Sequence, residues 1–156
     1  MAALEKFGPD ISKDAEWIAK TDHAVEAAHK FDWDHVLRGE IRGGNATGFH
    51  AEQAADGVAR ISPDAHIHNY PNGVYQAKVQ IWNANSRRWK SKSRPSSFFP
   101  ADWSIARIKY EVIEAFKRRI SKAENSREWV GTSPSGIEIG GYADETRVTF
   151  FPIGVP

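Results

Sequence analysis

Hydrophobic and polar positions along the chain change their spacing after residue 39. Residues 10–31 predict helices, because Asp10 and Asp22 are suitable N-cap residues before two segments, ISKDAEWIAK and HAVEAAHKF, that contain no Gly or Pro. Residues 39–50, GEIRGGNATGFH, predict two short strands around a Gly-rich turn. Residues 56–73 predict a loop, since DG, SP and PNG interrupt any regular pattern there.

The second half of the chain mixes strand and helix patterns. The segment VYQAKVQIW predicts a strand with one apolar face (Tyr75, Ala77, Val79 and Ile81), NANS predicts a turn, and RRWKSKS predicts the returning strand. Ser104 precedes a predicted helix with apolar residues at spacings of three and four: Ile105, Ile108, Val112, Phe116 and Ile120. The tail, GIEIGGYADETRVTFFP, predicts a further hairpin.

These elements predict an α+β fold, in which N-terminal helices are followed by antiparallel hairpins with one intervening helix. A chain of 156 residues suits one compact domain. No segment approaches the roughly 20 apolar residues of a membrane span, so we expect no membrane insertion. The chain has no cysteine, which excludes disulfides, thiolate nucleophiles and cysteine-based zinc sites. Since the net charge is only +1, any attraction to nucleic acid must come from local clusters.

Two histidines, His35 and His50, flank the first predicted hairpin. Folding of that hairpin would bring the two imidazoles close together. Such a pair can cleave RNA near neutral pH, because one imidazole takes the proton of the ribose 2′-OH and the other protonates the departing 5′-oxygen. The alternative is that both histidines are incidental to function.

A cationic segment with one aromatic residue follows the second strand pattern. Five of the eight residues from 87 to 94 are Lys or Arg, with Trp89 among them. This pattern suits contact with a phosphate backbone and a stacked base, although a solvated hairpin is the more common explanation of such a run. Lys90 and Lys92 share a strand face, so either ammonium could stabilise the extra charge on a phosphate during cleavage.

Two other groups of residues are candidates for chemistry. His66 and His68 point the same way if they lie on a strand and could share a metal ion, but the sequence offers no evident third ligand. Thr149 and Phe151 share a strand face opposite Val148 and Phe150. A hydroxyl beside an aromatic ring could hydrogen-bond and stack a pyrimidine, or these residues could simply form the edge of a strand.

Six motifs in order along the chain resemble the bacterial EndoU endoribonuclease family, toxin domains from the C-termini of contact-dependent inhibition and other polymorphic toxins. They are HVLRGE, GFH, GVYQAKVQIW, SSFFPADWS, WVGTSPSGIEIGGY and VTFFPI. The resemblance extends from about residue 33 to the end of the chain. It implies an EndoU-like fold with an RNase A-like catalytic core over 33–156, and we expect residues 1–32 to form a helical segment packed on it.

The resemblance also implies a reaction: metal-independent, cofactor-free cleavage of single-stranded RNA that leaves a 2′,3′-cyclic phosphate and a 5′-OH. It assigns His35 as general acid and His50 as general base, with Lys92 as the catalytic lysine and Lys90 as the alternative. Thr149 matches the threonine of the last strand, whereas Phe151 stands where many relatives have tyrosine, which weakens the expectation of strict uridine choice. Substrate contacts are also expected from Ser97, Lys90 and Trp89.

The resemblance further implies a biological setting and partners. The expected protein is a toxin of interbacterial competition that leaves the producing bacterium and acts in the cytoplasm of a target cell, with tRNA as one candidate RNA. A cognate immunity protein would neutralise it, and we expect binding dominated by residues 87–94; unbound, the protein would be a monomer. Two other readings stay open: a non-catalytic RNA-binding module, or a metal-dependent phosphodiesterase that uses His66 and His68.

Overall fold

Helices come first along the chain and antiparallel strands follow, so the predicted α+β class is confirmed in the computed structural model, which describes residues 14–124 and 126–156. Residues 14–20 are helical (α1), and two further helices are α2, His23–Ala28, and α3, Ile105–Lys117. Asp22 caps α2 by accepting from the Val25 N–H at 3.1 Å, as predicted. The predicted N-cap Asp10 lies outside the described residues.

Twelve strands in the described residues form four antiparallel sheets. The strands are β1 (Glu40–Arg42), β2 (Asn45–Thr47), β3 (Ala59–Ile61), β4 (His68–Asn69), β5 (Tyr75–Ala77), β6 (Val79–Asn83), β7 (Arg88–Ser91), β8 (Ser96–Phe98), β9 (Ile120–Ser121), β10 (Glu128–Thr132), β11 (Glu138–Ala143) and β12 (Val148–Pro152). The sheet orders are β1-β2, β3-β6-β7, β4-β5-β8 and β12-β11-β10-β9. All three predicted hairpins are present, as β1-β2, β6-β7 and β11-β12.

The predicted strand over VYQAKVQIW divides into two strands at Lys78. β5 pairs with β4 and β8, whereas β6 pairs with β3 and β7, so the two halves belong to different sheets. The carbonyl of Lys78 accepts a hydrogen bond from the Ser62 N–H at 2.9 Å, which satisfies the backbone at the break. The period of two continues across it, because the predicted apolar face is buried throughout: Tyr75, Ala77, Val79 and Ile81.

Two other sequence predictions are wrong in part. Residues 56–73 contain β3 and β4 as well as loops; these strands of two and three residues depend on pairing with distant segments, which local sequence does not reveal. Ile120 does not continue the helical stripe, since α3 ends at Lys117 and Ile120 is an exposed residue of β9. Strands β8, β9 and β10 were not predicted.

Two hydrophobic clusters hold the fold together. In the first, α3 packs against the four-stranded sheet through Ile108, Val112, Phe116, Trp129, Ile139 and Phe150. The second lies beneath the β1-β2 hairpin and contains Phe49, Val79, Ile81 and Phe98. His50 lies in sequence between Phe49 of the second cluster and Ala51 of the first, both fully buried, so its backbone is anchored on both sides. None of the helices described here has the length and apolar character to cross a bilayer.

Candidate active site

The segments that carry His35 and His50 lie side by side. His35 belongs to a single π-helical turn, Asp34–Arg38, a conformation that is frequent at functional sites. The backbone N–H of His50 donates to the Val36 carbonyl at 2.8 Å, and that of Ala51 donates to the Leu37 carbonyl at 3.2 Å. These two bonds join the turn to the residues after β2 and confirm that the predicted hairpin brings the two histidines into one region.

Gly48 allows this close approach. Its φ is +78°, and a Cβ added there would lie 2.0 Å from the backbone oxygen of His35, so no other residue fits without moving the turn. The next residue, Phe49, also has a positive φ, 70°, although it is bulky and completely buried. Such a conformation typically costs about 1–3 kcal/mol and is concentrated at functional sites. The backbone before His50 is therefore held in a strained shape by the packing around Phe49.

Burial and hydrogen bonding define the state of the His50 ring. Its Nδ1 lies 2.6 Å from the Ser97 carbonyl oxygen, which can only accept, so Nδ1 carries a proton and the neutral ring has its lone pair on Nε2. Burial, followed by the positive charge of Lys92 and that of His35, lowers the pKa of His50 to about 3, against the opposing effect of the Ser97 carbonyl. His50 is therefore a neutral imidazole at physiological pH, with Nε2 as a proton acceptor.

Lys92 is hydrogen-bonded to Gly48, the glycine at the close approach of the two histidine segments. Its Nζ donates to the Gly48 carbonyl at 3.1 Å and to the Ser96 hydroxyl at 2.8 Å, and that hydroxyl donates to the Gly48 carbonyl at 3.0 Å. Burial lowers the pKa of Lys92 to about 8, so the ammonium predominates below that pH. An ammonium has three N–H donors, and the described residues accept from two of them.

His35 has a different kind of partner. Its side chain is mostly buried, and Nδ1 lies 2.7 Å from a carboxylate oxygen of Glu40, which accepts the hydrogen bond. Glu40 in turn pairs with Arg42 at 2.6 Å. Among residues 14–124 and 126–156, no group is hydrogen-bonded to Nε2 of either histidine ring. Both rings are thus oriented through Nδ1, which leaves Nε2 of each ring as the nitrogen that could exchange a proton.

The last strand borders the same region. Val148 and Phe150 of β12 are buried, whereas Thr149 and Phe151 are on the outward face, as the alternation predicts. The Phe151 ring is 36% exposed and its centroid lies 6.2 Å from that of His50, so a planar group could lie against this ring while it reaches the histidine.

The remaining predicted residues divide into those near the histidines and those away from them. Ser97 contacts His50, but through its backbone carbonyl. Lys90 is exposed and opposite Ile81 in the register, and Lys92 lies two residues later, directly after β7. Trp89 is on the other face, packed against Trp82 with the Arg60 guanidinium 4.1 Å from its ring centroid. It is therefore not brought together with the histidines.

The candidate metal ligands are either separate from the His35–His50 pair or already paired with arginines. His66 and His68 are exposed, and among the described residues they belong to no group of three metal-ligating side chains. One such group does occur, formed by Asp32, His35 and Glu40, with ligand atoms within 4.8 Å of one another. Its carboxylates already face arginines: Arg42 is 2.6 Å from Glu40, and Arg147 is 3.5 Å from Asp32. These cations oppose the binding of a further cation.

Sequence reasoning missed Glu40 and Ser96. Glu40 lies inside the HVLRGE motif, five residues after His35, and a carboxylate at the start of the strand that follows the histidine turn was a usable signal. Ser96 gave no local signal, because its role depends on complete burial between Lys92 and Gly48. Together the site contains a proton-accepting imidazole, a carboxylate-bound imidazole and an ammonium, a set suited to acid–base chemistry at a phosphate.

Comparisons with known proteins indicate the family of the chain. Residues 31–154 match a family model described as bacterial EndoU nuclease. A protein named Toxin from Bacillus cereus is 31% identical over 111 residues, which is 70% of this chain. The matched part is 19% of that protein, so the chain spans about a fifth of its relative. No solved structure matches the chain.

Proposed function

The chain belongs to the bacterial EndoU nuclease family, and from that premise we propose that it is a metal-independent endoribonuclease. It cleaves single-stranded RNA by attack of a ribose 2′-OH on the adjacent phosphate, which leaves a 2′,3′-cyclic phosphate and a 5′-OH. The observation that carries this proposal is the hydrogen bond between His50 Nδ1 and the Ser97 carbonyl, beside the Lys92 ammonium. It supports an unprotonated Nε2 next to a fixed positive charge.

His50 acts as the general base. Because Nδ1 is protonated and donates to Ser97, the lone pair of Nε2 is free to accept the 2′-OH proton. The lowered pKa keeps the ring neutral at physiological pH. The oxygen then attacks phosphorus, so the P–O bond to the 2′-oxygen forms as the bond to the 5′-oxygen breaks.

His35 acts as the general acid. Its Nε2–H donates a proton to the departing 5′-oxygen, and the Glu40 carboxylate at Nδ1 holds the ring in place and faces the charge of the imidazolium. Glu40 is therefore a positioning residue that acts through His35. A placed acid or base typically contributes about 10² to 10⁴-fold in rate.

Lys92 stabilises the additional charge on the phosphate. Its ammonium is held by Gly48 and Ser96, so little reorganisation is needed when charge develops on a nonbridging oxygen. Lys90, the alternative, is exposed and is assigned here to the RNA backbone outside the cleavage point.

Thr149 and Phe151 contact the base. The Thr149 hydroxyl can hydrogen-bond a pyrimidine edge while the exposed Phe151 ring stacks on it. Phenylalanine has no hydroxyl to donate, so preference for uridine depends on Thr149 and on backbone groups such as those near Ser97. Trp89 contributes only for RNA that extends across the β6-β7 hairpin.

A toxin role follows from the relative named Toxin. We propose that the chain is a toxin domain that one bacterium delivers to the cytoplasm of another. There it degrades RNA, with tRNA as a candidate substrate. The producing cell requires an immunity protein, and the cationic residues 87–94, mostly exposed, suit an acidic partner that covers the site. Residues 14–32 would pack on the nuclease domain, 33–156, and the free protein would be a monomer; residues 1–13 of the predicted N-terminal segment lie outside the described residues.

The test is incubation of the purified protein with total bacterial RNA in excess EDTA, followed by sequencing of ends that carry cyclic phosphates. New ends of this type are expected, and they should disappear for a substrate whose target nucleotide lacks the 2′-OH. Cleavage only without EDTA would favour a metal-dependent phosphodiesterase. Binding of RNA without cleavage would favour an RNA-binding module.

A further inference from the structure

A cavity adjoins the histidine site. It has a volume of about 270 Å³ and is lined by Arg42, Arg127, Tyr142, Asp144, Arg147 and Thr149. Two of its residues connect it to the proposed machinery. Thr149 shares the outward face of β12 with Phe151, and Arg42 pairs with Glu40, the carboxylate that holds His35.

Three arginines around one small cavity are well suited to a phosphate. The guanidinium group presents a planar fork of N–H donors that matches two oxygens of a phosphate. The arginines pair at present with carboxylates at the cavity edge, Arg127 with Asp144 at 3.4 Å and Arg147 with Asp32 at 3.5 Å. Arg127 is 73% exposed, and an ion pair this open to solvent contributes little, so its guanidinium can turn to an incoming anion.

The spacing along β12 fits one nucleotide step. Thr149 and Phe151 are two residues apart on one strand face, about 6.8 Å for an antiparallel strand. The Phe151 ring is beside His50, whereas Thr149 borders the arginine cavity. An RNA strand that runs along this face of β12 from the histidines therefore reaches the arginines within one nucleotide.

We propose that this cavity is a subsite for the phosphate of the nucleotide next to the cleaved one, bound by Arg127 and Arg147. The inference rests on the proposed ribonuclease function and adds a substrate class to it. The enzyme acts on single strands that extend at least one nucleotide beyond the cleaved step, and this extension increases catalytic efficiency.

The experiment uses oligonucleotides with a single ribonucleotide, so that only one bond can be cut. A minimal dinucleotide is compared with versions extended by one deoxynucleotide on the 5′ side or on the 3′ side. One of the two extensions should raise kcat/KM by roughly three- to tenfold. Replacing the added phosphate with an uncharged methylphosphonate should remove this gain, as should Arg127→Gln or Arg147→Gln. Arg118→Gln, at an exposed arginine just after α3, is the control and should retain the gain.

Two results would overturn the subsite: an equal gain with phosphate and methylphosphonate, or a gain that both arginine variants retain. A parallel measurement separates its failure from that of the proposed function. Fully 2′-deoxy oligonucleotides cannot be cleaved, and their affinity is measured by fluorescence anisotropy. If no substrate is cleaved but extension still tightens binding through Arg127 and Arg147, the subsite stands and the ribonuclease proposal fails. If extension improves neither cleavage nor binding, the subsite is wrong.

Discussion

His35 and His50 are the same residue type in two contrasting environments. His50 donates through Nδ1 to a neutral backbone carbonyl, beside an ammonium, and its pKa is lowered to about 3. His35 donates through Nδ1 to the Glu40 carboxylate, which itself pairs with Arg42. A positive charge lies beside the His50 ring and favours its neutral form, whereas the His35 ring is hydrogen-bonded to a negative charge.

Under the proposed mechanism, this contrast teaches that the fold, not the residue type, separates the acid from the base. Enzymes with two similar titratable groups commonly divide the roles through their surroundings. Here burial and Lys92 favour the neutral form of His50, whereas a carboxylate holds the ring of His35. The following predictions test the contrast, from the largest expected effect to the smallest.

Removal of either ring should give the largest effect. His50→Ala and His35→Ala are each expected to lower kcat by about 10² to 10⁴-fold, because each removes one proton transfer. The measurement is single-turnover cleavage of an oligonucleotide with one ribonucleotide. His68→Ala is the matched control, since His68 is an exposed histidine outside the site. An active His50→Ala enzyme would contradict the assignment.

Removal of the Lys92 ammonium should give the second largest effect. Lys92→Met is expected to lower kcat by about 10²-fold, as loss of one preorganised charge does elsewhere. The charged form is required, so kcat/KM of the wild type should fall as pH rises through about 8, where Lys92 loses its proton. In Lys92→Arg the residual activity should not fall there, because arginine stays charged. If kcat/KM of Lys92→Arg also fell as pH rises through about 8, the fall would have to be assigned to another group.

Displacement of the segments that carry His35 and His50 should lower activity and stability together. In Gly48→Ala the new methyl collides with the His35 backbone oxygen at 2.0 Å, so the histidine turn must move. We expect a loss of activity of about 10²-fold, typical of small misplacements, and a lower melting temperature. Gly43→Ala is the matched control, because Gly43 also has a positive φ, +57°, but open space around it. Equal effects of the two substitutions would exclude a specific role for the close approach.

Loss of charge at the His35 partner should have a moderate effect. Glu40→Gln can keep a hydrogen bond to Nδ1 but not the carboxylate charge, so kcat should fall about tenfold with KM unchanged. Steady-state kinetics and a thermal melt distinguish this from unfolding, since the melting temperature should be nearly that of the wild type. A change in KM alone would show that Glu40 acts on substrate binding.

The base contact should give the smallest effect. Phe151→Ala is expected to raise KM about fivefold through loss of stacking. This factor corresponds to the lower end of the free energies found for base–aromatic stacking, as suits an exposed ring. Phe151→Tyr should retain the wild-type KM and increase preference for uridine, because the new hydroxyl can hydrogen-bond. Competition between oligonucleotides that differ only in the target base measures this preference. Unchanged KM in Phe151→Ala would remove Phe151 from the base site.

Much of the fold could be predicted from local patterns, because hairpins and one amphipathic helix carry their own signals. The Gly43–Gly44 turn, the Ser104 cap and the alternation in β12 are examples. The division of the strand at Lys78 and the strands within 56–73 could not, since both depend on partners distant in sequence. Local spacing reflects local geometry, whereas sheet membership is decided by tertiary contacts.

The same limit applies to the site. The positions of the two histidines and of Lys92 could be anticipated, but their environments could not. The roles of Ser96 and of the Ser97 carbonyl arise from segments nearly fifty residues from Gly48 and His50. Trp89 shares the cationic segment with Lys92, yet faces the other side of the strand.

The most direct test of the division of labour uses RNA in which sulfur replaces the departing 5′-oxygen. A thiolate leaves without protonation, so a missing general acid no longer matters, whereas the general base is still needed. Cleavage of this substrate by His35→Ala should approach the wild-type rate, and His50→Ala should stay slow. Rescue of His50→Ala with no rescue of His35→Ala would contradict the account and reverse the two roles.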